Sequence, residues 1–197
     1  MNWLSSGFDA GKLRKAFDVG KPFPHVLITD LLVGGRAREL AVALQKLEFE
    51  EKESDLFHLW QTIDFSSLRK GVLKDFYDFM RGKAFLDFMG KITGMQFSGE
   101  IDMAGSLYRD TNFLLCHDDQ LEGRKLAFIY YVSEDFSLAD GGSLDLFGDK
   151  QGHPGGLIKR YPPLFNSLLI FKVSPKSWHA VSEVIGRERY AIGGWLH

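Results

Sequence analysis

Four residues in this chain have the types and spacing for metal and anion chemistry. His117 and Asp119 stand two apart in LLCHDDQLEG, and His179 follows 62 positions later in SPKSWHAVSEV. Arg189 lies ten residues beyond that, in RYAIGGWLH. A His-x-Asp pair with a distant His is the ligand order of two-His-one-carboxylate iron sites, which leave metal positions open for other ligands. His-x-Asp alone is weak evidence in a chain with six His. Its context strengthens it: on an extended strand residues i and i+2 share a face, so His117 and Asp119 are expected to converge while Asp118 turns away. His179 beside Trp178 competes with the commoner reading of a packed core histidine. His25, His58, His153 and His197 sit in less strand-like or terminal settings. One cysteine argues against a thiolate-rich structural zinc site.

The last segment adds an anion receptor. Arg189, Ala191, Gly193 and Trp195 would share one strand face, and two of them are small. An inward Arg flanked by small residues can meet a dicarboxylate bidentately. A surface Arg in a charged turn is the competing reading, because Arg187 and Glu188 are adjacent and exposed Arg is the usual case.

The elements that must position these residues divide the chain in two. To about residue 95 the pattern is mostly helical, with apolar residues at three-to-four spacing over 37–47 and 68–80. A third helix is expected over 83–91, stopping at Gly94, and an entry strand over 22–29. From Phe97 onward short runs at 101–108, 126–132, 143–147, 167–173 and 189–196 alternate with Gly, Pro and Asp. Asp140-Gly141-Gly142 reads as a turn whose glycines admit positive φ. Arg124 and Lys125 fall in an expected hairpin connection, and Cys116 is expected opposite His117. Helices first and strands after predict an α+β, mainly β chain: a jelly roll, not a Rossmann-type sheet. No Gly-rich phosphate loop is present.

Composition narrows the classes. At 197 residues, 45% apolar and 25% charged, the chain fits a single domain, 1–197, with a real core. A net charge of -2 without a basic patch argues against direct nucleic-acid binding. No cationic amphipathic or long apolar segment argues for a membrane. The lone cysteine and the absence of a secretory leader point to a cytoplasmic protein, or a nuclear one if eukaryotic.

The strings LLCHDDQLEGRKLAFIYYV, GGSLDLF, FKVSPKSWHAVSEV and RYAIGGWLH closely resemble the 2-oxoglutarate- and Fe(II)-dependent prolyl hydroxylases that modify a small-subunit ribosomal protein. SDLFHLWQTIDF and ITGMQFSGEIDMAGSLY extend the resemblance over most of residues 22–197. It implies a double-stranded β-helix (jelly-roll, cupin-like) with the N-terminal helices on its outer face. It further implies Fe(II) on His117, Asp119 and His179, with 2-oxoglutarate and O2 as cosubstrates and ascorbate in a supporting role. Arg189 would pair with the far carboxylate of 2-oxoglutarate, assisted by Tyr131 and Tyr108; spacing alone does not choose Tyr131 over Tyr130. The implied reaction hydroxylates a prolyl residue of a protein or peptide, releasing succinate and CO2. The His179–Arg189 interval is shorter than in eukaryotic members, which keeps Arg187 in reserve. Those members also carry a second β-helix domain, so this chain is expected to be the catalytic domain only. The same chemistry on another protein or free proline, a catalytically silent β-helix binding module and a metal-dependent hydrolase are the alternatives. The acidic stretch Glu48 to Asp55 reads as a solvated loop or a lid edge attracting a basic peptide.

Overall fold

The computed structural model describes residues 3–197. Four helices, α1 (Ala10–Val19), α2 (Arg36–Leu44), α3 (Val72–Met80) and α4 (Lys83–Thr93), accompany eleven strands. In chain order the strands are β1 (His25–Ile28), β2 (Glu50–Glu53), β3 (Phe57–Gln61), β4 (Ile101–Tyr108), β5 (Phe113–His117), β6 (Leu126–Tyr131), β7 (Leu144–Lys150), β8 (His153–Tyr161), β9 (Ser167–Lys172), β10 (His179–Val181) and β11 (Arg189–Leu196). They hydrogen-bond in the order β1-β9-β6-β11-β4-β3-β5-β10-β7-β8, with β2 on β3. All the pairings are antiparallel. The sheet curls into a double-stranded β-helix, and β3 is its seam. Trp60 and Gln61 pair with β4, while Phe57 and His58 pair with β5.

Strand alternation writes two cores. On β6, Leu126, Phe128 and Tyr130 point outward, and on β9 so do Leu168 and Ile170. They meet Phe76, Met80, Phe85, Met89 and Ile92 of the helices. The alternate residues Ala127, Tyr131, Leu169, Phe171 and Ala191 point inward with Tyr108, Leu144, Leu146 and Val181. The period of two thus separates a helix-supported core from the interior of the β-helix. The helices end where the sequence allows: Gly94 closes α4 in the left-handed conformation at φ 72. Gly71, at φ 101, delays α3 to Val72 instead of residue 68.

Three expectations need correction. Residues before 95 are not mostly helical, because β2 and β3 form a hairpin in the sheet; half of Glu48 to Asp55, the four residues Glu50–Glu53, is therefore strand. Charged residues hid it, since β2 is an edge strand wetted on nearly all positions. The connection holding Arg124 and Lys125 is not a hairpin. β5 and β6 lie far apart in the strand order, so this segment crosses between the two halves of the sheet. Finally α1 and β8 were not foreseen: α1 buries a single residue, Phe17, and β8 is almost wholly exposed.

Candidate metal centre

His117 is the last residue of β5 and faces His179, the first of β10, as its antiparallel partner. Asp119 is not on the strand. It sits just past the end of β5 with φ 62, a left-handed backbone uncommon for a non-glycine residue but tolerated by Asp. The convergence expected from strand alternation is therefore reached another way, by a turn at Asp119. Its two carboxylate oxygens lie 3.2 Å from His117 Nε2 and 3.2 Å from His179 Nε2. Among the described residues these three form the one group of His, Cys, Asp or Glu placed to hold a metal, with ligand atoms within 4.8 Å of one another.

The imidazoles are prepared for that role. His117 Nδ1 is 2.9 Å from Leu115 O, and His179 Nδ1 is 2.7 Å from Ser177 O. Each ring donates from Nδ1 to a carbonyl, so Nε2 is the atom turned to the Asp119 carboxylate and the one that offers a lone pair to a metal once it carries no proton. Phe171 packs against His179 with ring centroids 4.6 Å apart. Burial drives the Asp119 carboxyl up, but hydrogen bonds and charge from His117 and His179 outweigh it and hold the group well below the carboxylate range. Burial lowers His117, yet the Asp119 hydrogen bond and charge win and raise it.

Arg189 is the largest fully buried side chain, 1% exposed. It makes no ion pair among the described residues, and its Nε has no hydrogen-bond partner. A buried, unpaired guanidinium costs several kcal/mol, about 3–5. Its neighbours are aromatic: its Cζ lies 4.9 Å from the Tyr108 ring centroid and 5.2 Å from that of Tyr131. Register explains both, since Tyr108 pairs with Arg189 and Tyr131 with Ala191. Tyr130 points outward, its hydroxyl on Asn166 Oδ1 at 2.8 Å, which resolves the ambiguity between adjacent tyrosines. The Tyr131 hydroxyl is buried without a partner. Burial pushes Tyr108 up to about 12 and raises Tyr131 as well, with Arg189 opposing.

Arg187, held in reserve on spacing, is on the surface. It donates to the carbonyls of Asp135 and Glu134 and stacks on Phe136 at 4.6 Å. The other histidines are engaged elsewhere: His25 with Tyr161, His58 with Glu51, His197 with Asp102, while His153 is exposed. Asp118 turns its carboxylate to the Gln120 N–H, and Cys116 is half-buried.

A cavity of about 710 Å³ joins the His117–Asp119–His179 cluster, Arg189 and Tyr108. His117, Asp119, His179 and Arg189 line its floor, and Glu51, Lys52 and Glu53 of β2 line its walls. Trp195 also lines it, with Nε1 buried and unpartnered, and Arg124 stacks 3.4 Å from its ring centroid. Sequence reasoning put Trp195 on the right face but missed that orphaned donor. It also missed the Phe171 contact, although Phe171 stands two residues from inward Leu169, whereas the acidic stretch weighed as a lid edge does supply cavity lining through Glu51, Lys52 and Glu53.

Residues 103–197 match the model of the 2OG-Fe(II) oxygenase superfamily. A Xenopus laevis protein named Prolyl 3-hydroxylase OGFOD1 is 39% identical over 183 residues, covering 89% of this chain and 35% of its own length. A Mus musculus protein of the same name is 37% identical over 188 residues, covering 89% and 33%. The chain spans about a third of the length of these curated relatives. The crystal structure of a Pseudomonas putida prolyl-4-hydroxylase shares the fold, with TM-score 0.75 at 18% identity over 94% of this chain and 98% of that one. Residues 103–197, which include the whole His117–Asp119–His179 cluster and Arg189, form the part of this chain that matches as a 2OG-Fe(II) oxygenase domain.

Proposed function

We propose that this chain is a prolyl hydroxylase that uses Fe(II), 2-oxoglutarate and O2 to oxidise a prolyl residue in a protein, most specifically a small-subunit ribosomal protein. The observation that carries the reading is the pairing of a three-ligand cluster with a buried, anionless arginine in one cavity. His117, Asp119 and His179 would hold the metal through two Nε2 atoms and a carboxylate, a mixed set that suits Fe(II) and leaves coordination positions open. The orphaned polar atoms fit the cosubstrate. Arg189 Nε and the Tyr131 hydroxyl are donors awaiting an acceptor, and a carboxylate there would neutralise a charge that otherwise has no counter-ion.

When bound, Fe(II) with 2-oxoglutarate and O2 supplies oxidation of a C–H bond, the cosubstrate leaving as succinate and CO2. The chain's own residues bind, orient and exclude water. With its pKa near 12, Tyr108 stays a phenol at neutral pH and so donates rather than repels an anion. Leu144, Val181, Phe171 and Ala127 line the cavity with hydrocarbon, which shields the reacting atoms from solvent. The cavity reaches from the cluster to the exposed strand β2, and a polypeptide can enter by that route. Glu51 and Glu53 give this wall a negative bias suited to a basic substrate such as a ribosomal protein. Relatives named prolyl 3-hydroxylase support the choice of proline.

Mass spectrometry tests the proposal. A proline-containing peptide from the decoding-centre loop of that ribosomal protein is incubated with the protein, Fe(II), 2-oxoglutarate and air, with His179→Ala as control. One oxygen added to proline, absent in the control, is the expected result. Succinate formed without peptide oxidation would keep the oxygenase and discard this substrate. Neither product, from folded and iron-loaded protein, would favour a silent binding module.

A further inference from the structure

Asp119 reaches the two imidazoles from a left-handed backbone, φ 62, and a serine from a distant segment bonds the peptide that precedes it. Ser177 lies in the turn before β10 and is fully buried. Its hydroxyl lies 2.8 Å from Asp118 O and 2.7 Å from Ser174 O. A hydroxyl has one proton. Ser174 O already accepts from the Ser177 backbone N–H at 3.0 Å, so the hydroxyl proton is better used on Asp118 O. That carbonyl belongs to the peptide plane whose rotation against the Asp119 Cα defines φ of Asp119, which is 62. Pinning the plane sets the left-handed turn and swings the carboxylate between the two imidazoles. The carbonyl of the same Ser177 accepts from His179 Nδ1 at 2.7 Å, fixing that ring's tautomer and orientation. One buried serine therefore ties together the two segments, 59 residues apart in sequence, that bring the ligands.

We infer that Ser177 is a positioning residue of the metal centre, acting through the Asp118–Asp119 peptide on one side and the His179 ring on the other. The inference rests on the metal-site reading above and deepens it. The test titrates metal-free protein with Co(II), followed by its visible absorption, so that catalysis is not the readout. Ser177→Ala is expected to weaken Co(II) about tenfold or more and to change the shape of the Co(II) spectrum. Ser177→Thr, which restores a hydroxyl, is expected to recover much of the affinity. Ser174→Ala, which removes only a hydroxyl accepting from the Lys176 N–H, is expected to leave both readouts unchanged. If Ser177→Ala does not fold, Ser177→Cys, close in size but a much weaker donor, is read instead and is expected to lose affinity. Unaltered Co(II) affinity and spectrum in folded Ser177→Ala would overturn the inference, as would an equal loss in Ser174→Ala. A wild-type protein that does not bind Co(II) would instead overturn the metal-site reading itself.

Discussion

Arg189 and Asp119 show how a single residue can be costly to the fold and still fit the role proposed for it. Arg189 is a buried cation without a counter-ion. Replacing it with Leu should therefore leave the cosubstrate-free protein as stable or more so, because an unpaired charge is removed. The same change should weaken 2-oxoglutarate binding by about 2–5 kcal/mol, roughly thirtyfold or more. Thermal melts with and without 2-oxoglutarate read both effects, and a melt stabilised equally by cosubstrate in variant and wild type would refute the anchor role. The titration of the metal cluster gives a pH prediction. His117 is raised above its ordinary 6.5, so in metal-free protein its contribution to stability is present at lower pH and lost as pH rises through its folded value. Asp119 is depressed below 3.8, so its contribution is present above 3.8 and lost only as pH falls through the folded value. Both act together between 3.8 and 6.5. Metal-free protein should lose this contribution as pH rises from 6.5 through the raised His117 value. Metal binding has the opposite trend, because a proton on His117 competes with the ion. Co(II) affinity should thus fall as the solution is acidified through the His117 value, and a pH-independent Kd would contradict this.

Between residues and fold, the strands do the selecting. Neighbouring tyrosines on β6 have unrelated duties because one faces the helices and the other the interior. Tyr131→Phe should weaken 2-oxoglutarate with little loss of stability, since its hydroxyl has no partner in the cosubstrate-free protein. Tyr130→Phe should instead cost stability, about 1 kcal/mol, by breaking the bond to Asn166, with cosubstrate affinity unchanged. Denaturant melts together with KM for 2-oxoglutarate separate the two, and interchanged phenotypes would mean the facing is wrong. The turn before β7 matters for the same anchor. Gly142 has φ 61, and a Cβ there would lie 2.8 Å from Arg189 Cδ and 3.0 Å from Val184 Cγ2. Gly142→Ala is expected to raise KM for 2-oxoglutarate while sparing Co(II) binding, because the strain falls on the arginine and not on the ligands. Equal loss of both would place the effect on the fold at large.

Across the whole molecule, the open ends of the sheet are joined by side chains. β1 and β8 terminate the strand path, yet His25 Nε2 lies 2.8 Å from Tyr161 Oη. His25 Nδ1 donates to Phe23 O, so Nε2 accepts from the tyrosine, and burial keeps the ring neutral by lowering its pKa. This clasp is a closure the backbone ladder does not provide. Tyr161→Phe should lower the free energy of unfolding by about 1–3 kcal/mol, the cost of a buried acceptor left unmade, without changing Co(II) affinity. Chemical denaturation of metal-free protein measures it, and a change under about 0.5 kcal/mol would deny the clasp a part in stability.

Much of the site was legible in the sequence because it depends on residue type and local spacing. His117, Asp119, His179 and Arg189 stand out by their types and order, and alternation along β11 puts Arg189, Ala191, Gly193 and Trp195 on one face, whereas the continuous apolar run of β6 left Tyr131 and Tyr130 undistinguished. The helix end at Gly94 follows from the one residue that tolerates positive φ cheaply, whereas the delayed start of α3 after Gly71 was not read. The rest required the tertiary structure. Only the fold decides that Arg189 is buried without a counter-ion and Arg187 is not, because burial is a property of what packs above a residue. Only the fold shows β2 as a strand, since an edge strand that is nearly all solvated has no apolar period to read. The left-handed turn that sets Asp119 between the two imidazoles, and the Ser177 hydroxyl that bonds the peptide before it, join residues 59 apart in sequence. Hydrogen bonds across that separation depend on chain geometry in three dimensions, and no spacing along one dimension encodes them.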